Sequence, residues 1–242
     1  MKILIPNAKE LNTHLESQSF QGLTEASQEI LAVISQMMLE DLADFYKLKL
    51  DKAQLELDRW QRMANGQARL YLAWQLYDGL MYRYMSRRDL SPAEVAYLEE
   101  HVFITTGFFG AINVFDWIAP HRLDFQGSLK IGQTSLKQFW RQQYDQLVQD
   151  DELIVSLLSS EFEAVFSPAI QKKMTKITFM EDKDGQLKIH STISKKGRGR
   201  LVSEMSRQQV MSLEALKCLQ PDGFVYREDL STEHEIVFVK TI

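Results

Sequence analysis

The stretch KITFMEDKDGQLKIHSTIS, residues 176–194, constrains the fold more than any other. Two runs rich in β-branched and aromatic residues flank Asp184-Gly185, a pair suited to the positive φ angles of a two-residue hairpin turn. GFVYRED and HEIVFVK predict a second hairpin that closes the chain. ELIVSLLS reads as a buried strand and SEFEAVFSP as a short helix stopped by Pro168. At the amino end, MKILI predicts another buried strand, ended by Pro6.

Elsewhere the hydrophobic period becomes helical. Residues 24–47 place Ile30, Ile34 and Met37 at helical spacing, enough for one or two helices. In DKAQLELDRWQRMA, residues Ala53, Leu57, Trp60 and Ala64 fall on one face. Ser91-Pro92-Ala93-Glu94 combines an N-cap, a proline at the first helical position and a glutamate at N3, so a helix is predicted from there to about His101. VFITTGFFGAI reverts to β-rich composition, punctuated by Gly107 and Gly110, and SLKQFWRQQYDQLV is helical with Leu136 and Trp140 turned inward. A mainly helical first half and a mixed second half predict an α+β class: a mixed sheet surrounded by helices. No repeat or linker divides the chain, so residues 1–242 are expected to form one domain.

Composition narrows the function. The net charge of -5 excludes a broadly basic, histone-like surface, so contact with nucleic acid would need a local patch. The single cysteine, Cys218, allows no internal disulfide, which fits a reducing cytoplasm. No apolar run approaches the roughly 20 residues of a membrane span, and no signal-peptide pattern opens the sequence, so a soluble cytoplasmic chain without a membrane partner is expected. The five histidines are scattered without metal-ligand spacing, which argues against a metal site. Dinucleotide, Walker and serine-hydrolase templates are absent, so no cofactor is expected.

Four stretches remain as candidates for binding or chemistry. SKKGRGR, residues 194–200, concentrates Lys195, Lys196, Arg198 and Arg200 in an otherwise acidic chain. It is expected on a strand-to-helix connection, where cations and backbone donors converge on an anion and Gly197 and Gly199 admit a backbone closely. The turn at Gly107 and Gly110 could be a phosphate-holding nest of the helix-hairpin-helix kind, or an ordinary turn. In HRLDF, Arg122 and Asp124 are two apart and would share one face of a strand, one orienting the other, or else form a surface ion pair. In LSSEFE, Ser160 and Glu163 form a capping box, which leaves Glu161 free at a strand-to-helix junction.

Taken together, MKILIPNAKEL, YDGLMYR, GFFGAINVFDWIAPHRLDF, LKQFW, LLSSEF, LKIHSTISKKGRGR and the closing GFVYRED with EIVFVK resemble the YaaA family of bacterial peroxide-stress proteins, in its streptococcal or lactic-acid-bacterial form. The resemblance runs in order along the whole chain. It implies a cytoplasmic protein induced by hydrogen peroxide that limits unincorporated intracellular iron. It further implies one α+β domain with a basic cleft and a helix-hairpin-helix element, and non-sequence-specific binding of duplex or branched DNA. No established catalytic activity accompanies it.

By that resemblance Lys9, Gly107, Gly110, Arg122, Asp124, Ser159, Glu161, Lys195, Lys196 and Arg198 stand at the family's motif positions. Gly197 replaces a usual alanine, Thr106 a smaller residue, and Phe109 a tyrosine. The expected ligand is DNA or another phosphate-bearing molecule, met by a monomer. Gly107, Gly110, Arg122, Lys195, Lys196, Arg198 and Arg200 would contact phosphate, with Asp124 and Glu161 as supporting carboxylates. The alternative is an enzyme acting on a nucleotide or a damaged base through a lysine nucleophile, with Lys9, Glu161 and Lys195 as its candidates. Direct iron binding would need carboxylates gathered by folding.

Overall fold

A computed structural model describes residues 1–242. Strand β1 (Lys2–Pro6) and the short β2 (Gln18–Ser19) precede three helices, α1 (Glu25–Ile34), α2 (Leu39–Tyr46) and α3 (Leu50–Ala64). β3 (Arg69–Leu72) leads into the one-turn helices α4 (Ala73–Leu76) and α5 (Leu80–Arg83), then α6 (Pro92–His101). β4 (Val102–Thr106), β5 (Gly110–Asn113), β6 (Trp117–Ile118), β7 (Lys130–Ile131) and β8 (Thr134–Ser135) come before α7 (Leu136–Val148). β9 (Ile154–Ser156), α8 (Ser160–Glu163), α9 (Pro168–Lys173), β10 (Met174–Lys183) and β11 (Gln186–Lys188) follow. The chain finishes with α10 (Ser191–Gln208), α11 (Leu213–Lys217), β12 (Val225–Tyr226) and β13 (Glu235–Thr241).

The main sheet runs β12-β13-β10-β9-β1-β4-β5, with β11 paired to β10. Its interior, from β13 to β4, is parallel, and antiparallel strands lie at the margins. This is the expected α+β mixture. A parallel interior is covered on both faces, so its strands read as continuous apolar runs rather than alternations. β1 shows this: Ile3 and Ile5 enter one core with α10, while Leu4 enters the other with α1, α3 and α7. No helix is long and apolar enough to cross a membrane.

Local signals held where turn chemistry or capping was explicit. Asp184 (φ 53°) and Gly185 (φ 82°) both take positive φ and join β10 to antiparallel β11. Ser91 and Glu94 make the reciprocal capping box of α6. β12 and β13 form the closing antiparallel pair.

Other readings are corrected. The buried stripe of α3 is Ala53, Glu56, Trp60 and Met63; Ala64 is exposed and Leu57 half-buried. Glu56 is tolerated inside because Arg59 pairs with it at 2.7 Å. Pro168 starts α9 at its first turn, capped by Ser167, rather than stopping a helix. The N-cap of α8 is Ser159, and Glu163 turns inward to accept from Ser156 Oγ at 2.8 Å instead of closing a box with Ser160.

The largest correction concerns the basic run. STIS is not strand: β11 ends at Lys188, and residues 191–208 form one helix, α10, with the cations and both glycines inside it. Its buried stripe is Ile193, Gly197, Leu201 and Met205, spaced four apart. A side chain is missing at one stripe position, so the hydrophobic period is broken in the sequence though intact in space. A Cβ at Gly197 would collide with the Phe179 ring on β10, and one at Gly199 with the Met81 carbonyl on α5. The glycines weaken the helix by roughly 1 kcal/mol each. In return they let its backbone settle between sheet and α5.

Behind this layer His121 is fully buried. Its Nδ1 is 2.9 Å from the Ala119 carbonyl, an acceptor, so the proton sits on Nδ1 and Nε2 accepts from the Tyr77 hydroxyl at 3.3 Å. Burial lowers its pKa from 6.5 to about 4, against the raising effect of the Ala119 bond.

Two outcomes are expected. Gly199→Ala should lose about 1–3 kcal/mol in urea denaturation, because the obstructing atom is backbone, whereas Lys196→Ala should stay within about 0.5 kcal/mol. His121 is neutral when folded, so its contribution is complete above pH 6.5 and is lost as pH falls to about 4. The loss, on the order of 3 kcal/mol, should appear as a drop in urea midpoint that His121→Asn flattens.

Candidate anion-binding cleft

β1 lies between β4 on one side and β9 on the other, so the strand order reverses beside it. In open α/β sheets such a reversal opens a crevice at the carboxyl ends of the strands. Here Pro6 ends β1, and Asn7, Ala8 and Lys9 emerge at the crevice. Asn7 is held twice, its backbone N–H donating to Thr105 O at 3.0 Å and its Nδ2 to Leu123 O at 3.1 Å. After β9, Leu157 N–H donates to Leu4 O at 2.9 Å, which brings Ser159 to the same edge. α5 forms the opposite wall, with Gly79 so near Ala8 that a Cβ would stand 2.8 Å from the Ala8 Cβ. The resulting cleft has a volume of about 320 Å³, and α10 contributes Lys195 and Arg198 to it.

The charges in the cleft are unevenly matched. Lys9 Nζ lies 3.1 Å from Asp124 Oδ2 and donates to Gln126 Oε1 at 2.7 Å. Lys195 makes no hydrogen bond or ion pair. Arg198 is mostly buried, its Nε is shut off from solvent without a partner, and no carboxylate is within salt-bridge distance. Desolvation lowers its pKa, opposed by the charge of Glu163, yet a guanidinium stays protonated under any ordinary condition. Glu163 itself is already satisfied by Ser156 Oγ and by Lys176 Nζ, each at 2.8 Å. A buried cation with no counter-ion is costly, and an anion entering the cleft removes that cost.

Arg122 lines an adjoining hollow of about 250 Å³ with Lys9, Lys47, Phe45 and Tyr46. Its guanidinium lies 5.8 Å from the Tyr46 ring centroid, and its expected partner Asp124 pairs with Lys9 instead. Lys9, Asp124 and Gln126 border both spaces. The polypeptide thus gathers Lys9, Arg122, Lys195 and Arg198 around two joined hollows.

The remaining candidates stand apart. Lys196 and Arg200, four apart on α10, stack over Tyr84 at 5.1 and 5.2 Å and do not line the cleft. The carboxyl of Glu161 is held below its usual range, chiefly by the Ser159 hydroxyl, which places it in the first turn of α8 rather than in the cleft lining. The Gly107–Gly110 turn joins antiparallel β4 and β5, not two helices. Gly107 N–H donates to Leu123 O at 3.2 Å and Gly110 packs on Trp140, so the turn is closed to a phosphate. The one-turn helices α4 and α5 are joined through Tyr77-Asp78-Gly79, and of this segment Gly79 and α5 line the cleft.

Sequence reasoning missed Asn7, Phe45, Tyr46, Lys47 and Gln126. Lys47 carries the one local signal, ending α2 in the left-handed conformation (φ 53°), but lysine is no marker of that geometry.

A family model described as peroxide stress protein YaaA matches residues 1–230. A UPF0246 protein of Streptococcus gordonii is 45% identical over 242 residues, covering 100% of this chain and 99% of that protein. A UPF0246 protein of Streptococcus pneumoniae is 47% identical over 242 residues, 100% of both chains. A third, from Streptococcus thermophilus, is 43% identical over 243 residues, covering 100% of this chain and 98% of that protein.

An unpartnered guanidinium held for a ligand should cost stability in the free protein. Arg198→Met is expected to raise the stability measured in urea by roughly 1–3 kcal/mol while weakening anion binding. A stability loss of that size would show that Arg198 serves packing instead.

Proposed function

We propose that this chain, which belongs to the YaaA family of peroxide stress proteins, serves that response by holding the phosphate backbone of DNA, without reading sequence, in the cleft between the carboxyl ends of β1 and β9. The observation that carries this reading is Arg198, a mostly buried cation without a counter-ion, beside the unpaired Lys195. Phosphate oxygens supply the missing acceptors and charge. Lys9, positioned by Asp124 and Gln126, adds a third cation at the mouth, and Arg122 a fourth in the next hollow. Backbone contacts position nucleic acid but carry no base information, which is why the binding is indifferent to sequence.

In this reading α4 and α5 take the part of the helix-hairpin-helix element, and the chain works as a monomer in the cytoplasm. Limitation of free iron follows downstream of the nucleic-acid contact rather than from metal held by the chain. Should the cleft also make or break a bond, the nucleophile is Lys195, since Lys9 is engaged by Asp124 and Gln126.

The test is duplex and four-way-junction affinity across a salt series. Lys195→Ala/Arg198→Ala should bind at least about tenfold more weakly, with the log–log salt slope shallower by about 1.8, at about 0.9 per phosphate. Lys183→Ala, on the distant β10–β11 hairpin, should match wild type. Unchanged affinity in a folded double variant would end the proposal.

A further inference from the structure

The cleft is small for the polymer it is proposed to bind. Its volume of about 320 Å³ is that of a small-molecule site. Arg198 lines it with its Nε shut off from solvent, so a phosphate meets the guanidinium through its terminal nitrogens from within the cleft. In a regular duplex, stacking and pairing hold each phosphate in line with its neighbours, so it meets the cleft from the mouth. A nucleotide that has left the stack can enter.

The adjoining hollow suits what such a nucleotide brings with it. Phe45 and Tyr46 line it, and Gly127 lies so close to Phe45 that a Cβ would sit 2.6 Å from the ring. The 124–127 segment therefore rests against that ring and holds it in place. Tyr46 is anchored separately, its hydroxyl accepting from Trp60 Nε1 at 3.2 Å and Arg122 lying over its face. Between cleft and hollow stand Asp124 and Gln126, whose remaining acceptor and amide donor capacity matches the edge of a heterocycle. Lys47 and Arg122 supply positive charge for a flanking phosphate.

Resting on the phosphate-binding reading above, we propose that the two hollows form one two-chambered site for a single unpaired nucleotide of DNA. Its phosphate binds Arg198 and Lys195, and its base is held against Phe45 and Tyr46. The specificity is for an unstacked unit rather than for a sequence, because every base presents a π-face. Aromatic contact with one base corresponds to a preference of about tenfold.

Three labelled duplexes of equal length and flanking sequence separate the possibilities by fluorescence anisotropy. One is fully paired, one carries a single bulged adenine, and one carries a bulged tetrahydrofuran abasic unit with the same phosphates. The bulged adenine should bind about tenfold tighter than either of the others. Phe45→Leu, which retains an apolar packing side chain, should reduce that preference while leaving affinity for the paired duplex unchanged. Equal affinity for the adenine and abasic bulges, both still dependent on Arg198, overturns the two-chamber site and leaves the phosphate cleft standing. Binding of all three that ignores Lys195→Ala/Arg198→Ala overturns both.

Discussion

The close approach of α10 to the sheet and to α5 is the contact on which the cleft depends. Gly197 against Phe179 and Gly199 against the Met81 carbonyl bring a helix carrying four cations down onto the carboxyl edge of the sheet. With larger residues at these positions the helix would stand away, and Lys195 and Arg198 would point into solvent as an ordinary charged surface. The helical period of about 3.6 residues then divides the cations. Lys195 and Arg198 face the cleft, and Lys196 and Arg200 lie over Tyr84.

Electrostatic arrangement completes what packing begins. Carboxylates are present near the cleft but already committed: Glu163 to Ser156 and Lys176, Asp124 to Lys9. Each carboxylate so committed is unavailable to Lys195 and Arg198, which stay without a counter-ion in a chain whose net charge is negative. The positive character of the cleft comes not from an excess of positive residues overall but from the few that folding has left without partners. A member of the peroxide stress protein YaaA family can thus be acidic as a chain and still carry a local group of unneutralised cations.

Much of the fold was legible along the chain. Asp184-Gly185, the capping box at Ser91, the closing pair of strands and the apolar run of β1 each express a local rule that tertiary context did not override. The failures share a cause. Pro168 has the same fixed φ whether it ends one helix or begins the next, and Ser167 decides which. Glu56 joins the buried stripe of α3 because Arg59 neutralises it. At the cleft the charged stretch SKKGRGR was visible at once, but four cations in seven residues look equivalent in a sequence. Phe45, Tyr46 and Lys47 gave no sign of sharing a hollow with residues some eighty positions away.

By itself the sequence determined the α+β class, the main hairpins and caps, the family, and the identities of Lys9, Arg122, Lys195 and Arg198 as charges worth placing. These follow from local propensity and motif order, which act over a few residues. Tertiary structure alone decided that the basic run is helix, that its glycines serve packing, and that Arg198 rather than Lys196 or Arg200 lines a cleft with a buried, unpartnered Nε. Burial and pairing are properties of neighbours distant in the chain, and they exist once β1, β9 and α10 have come together.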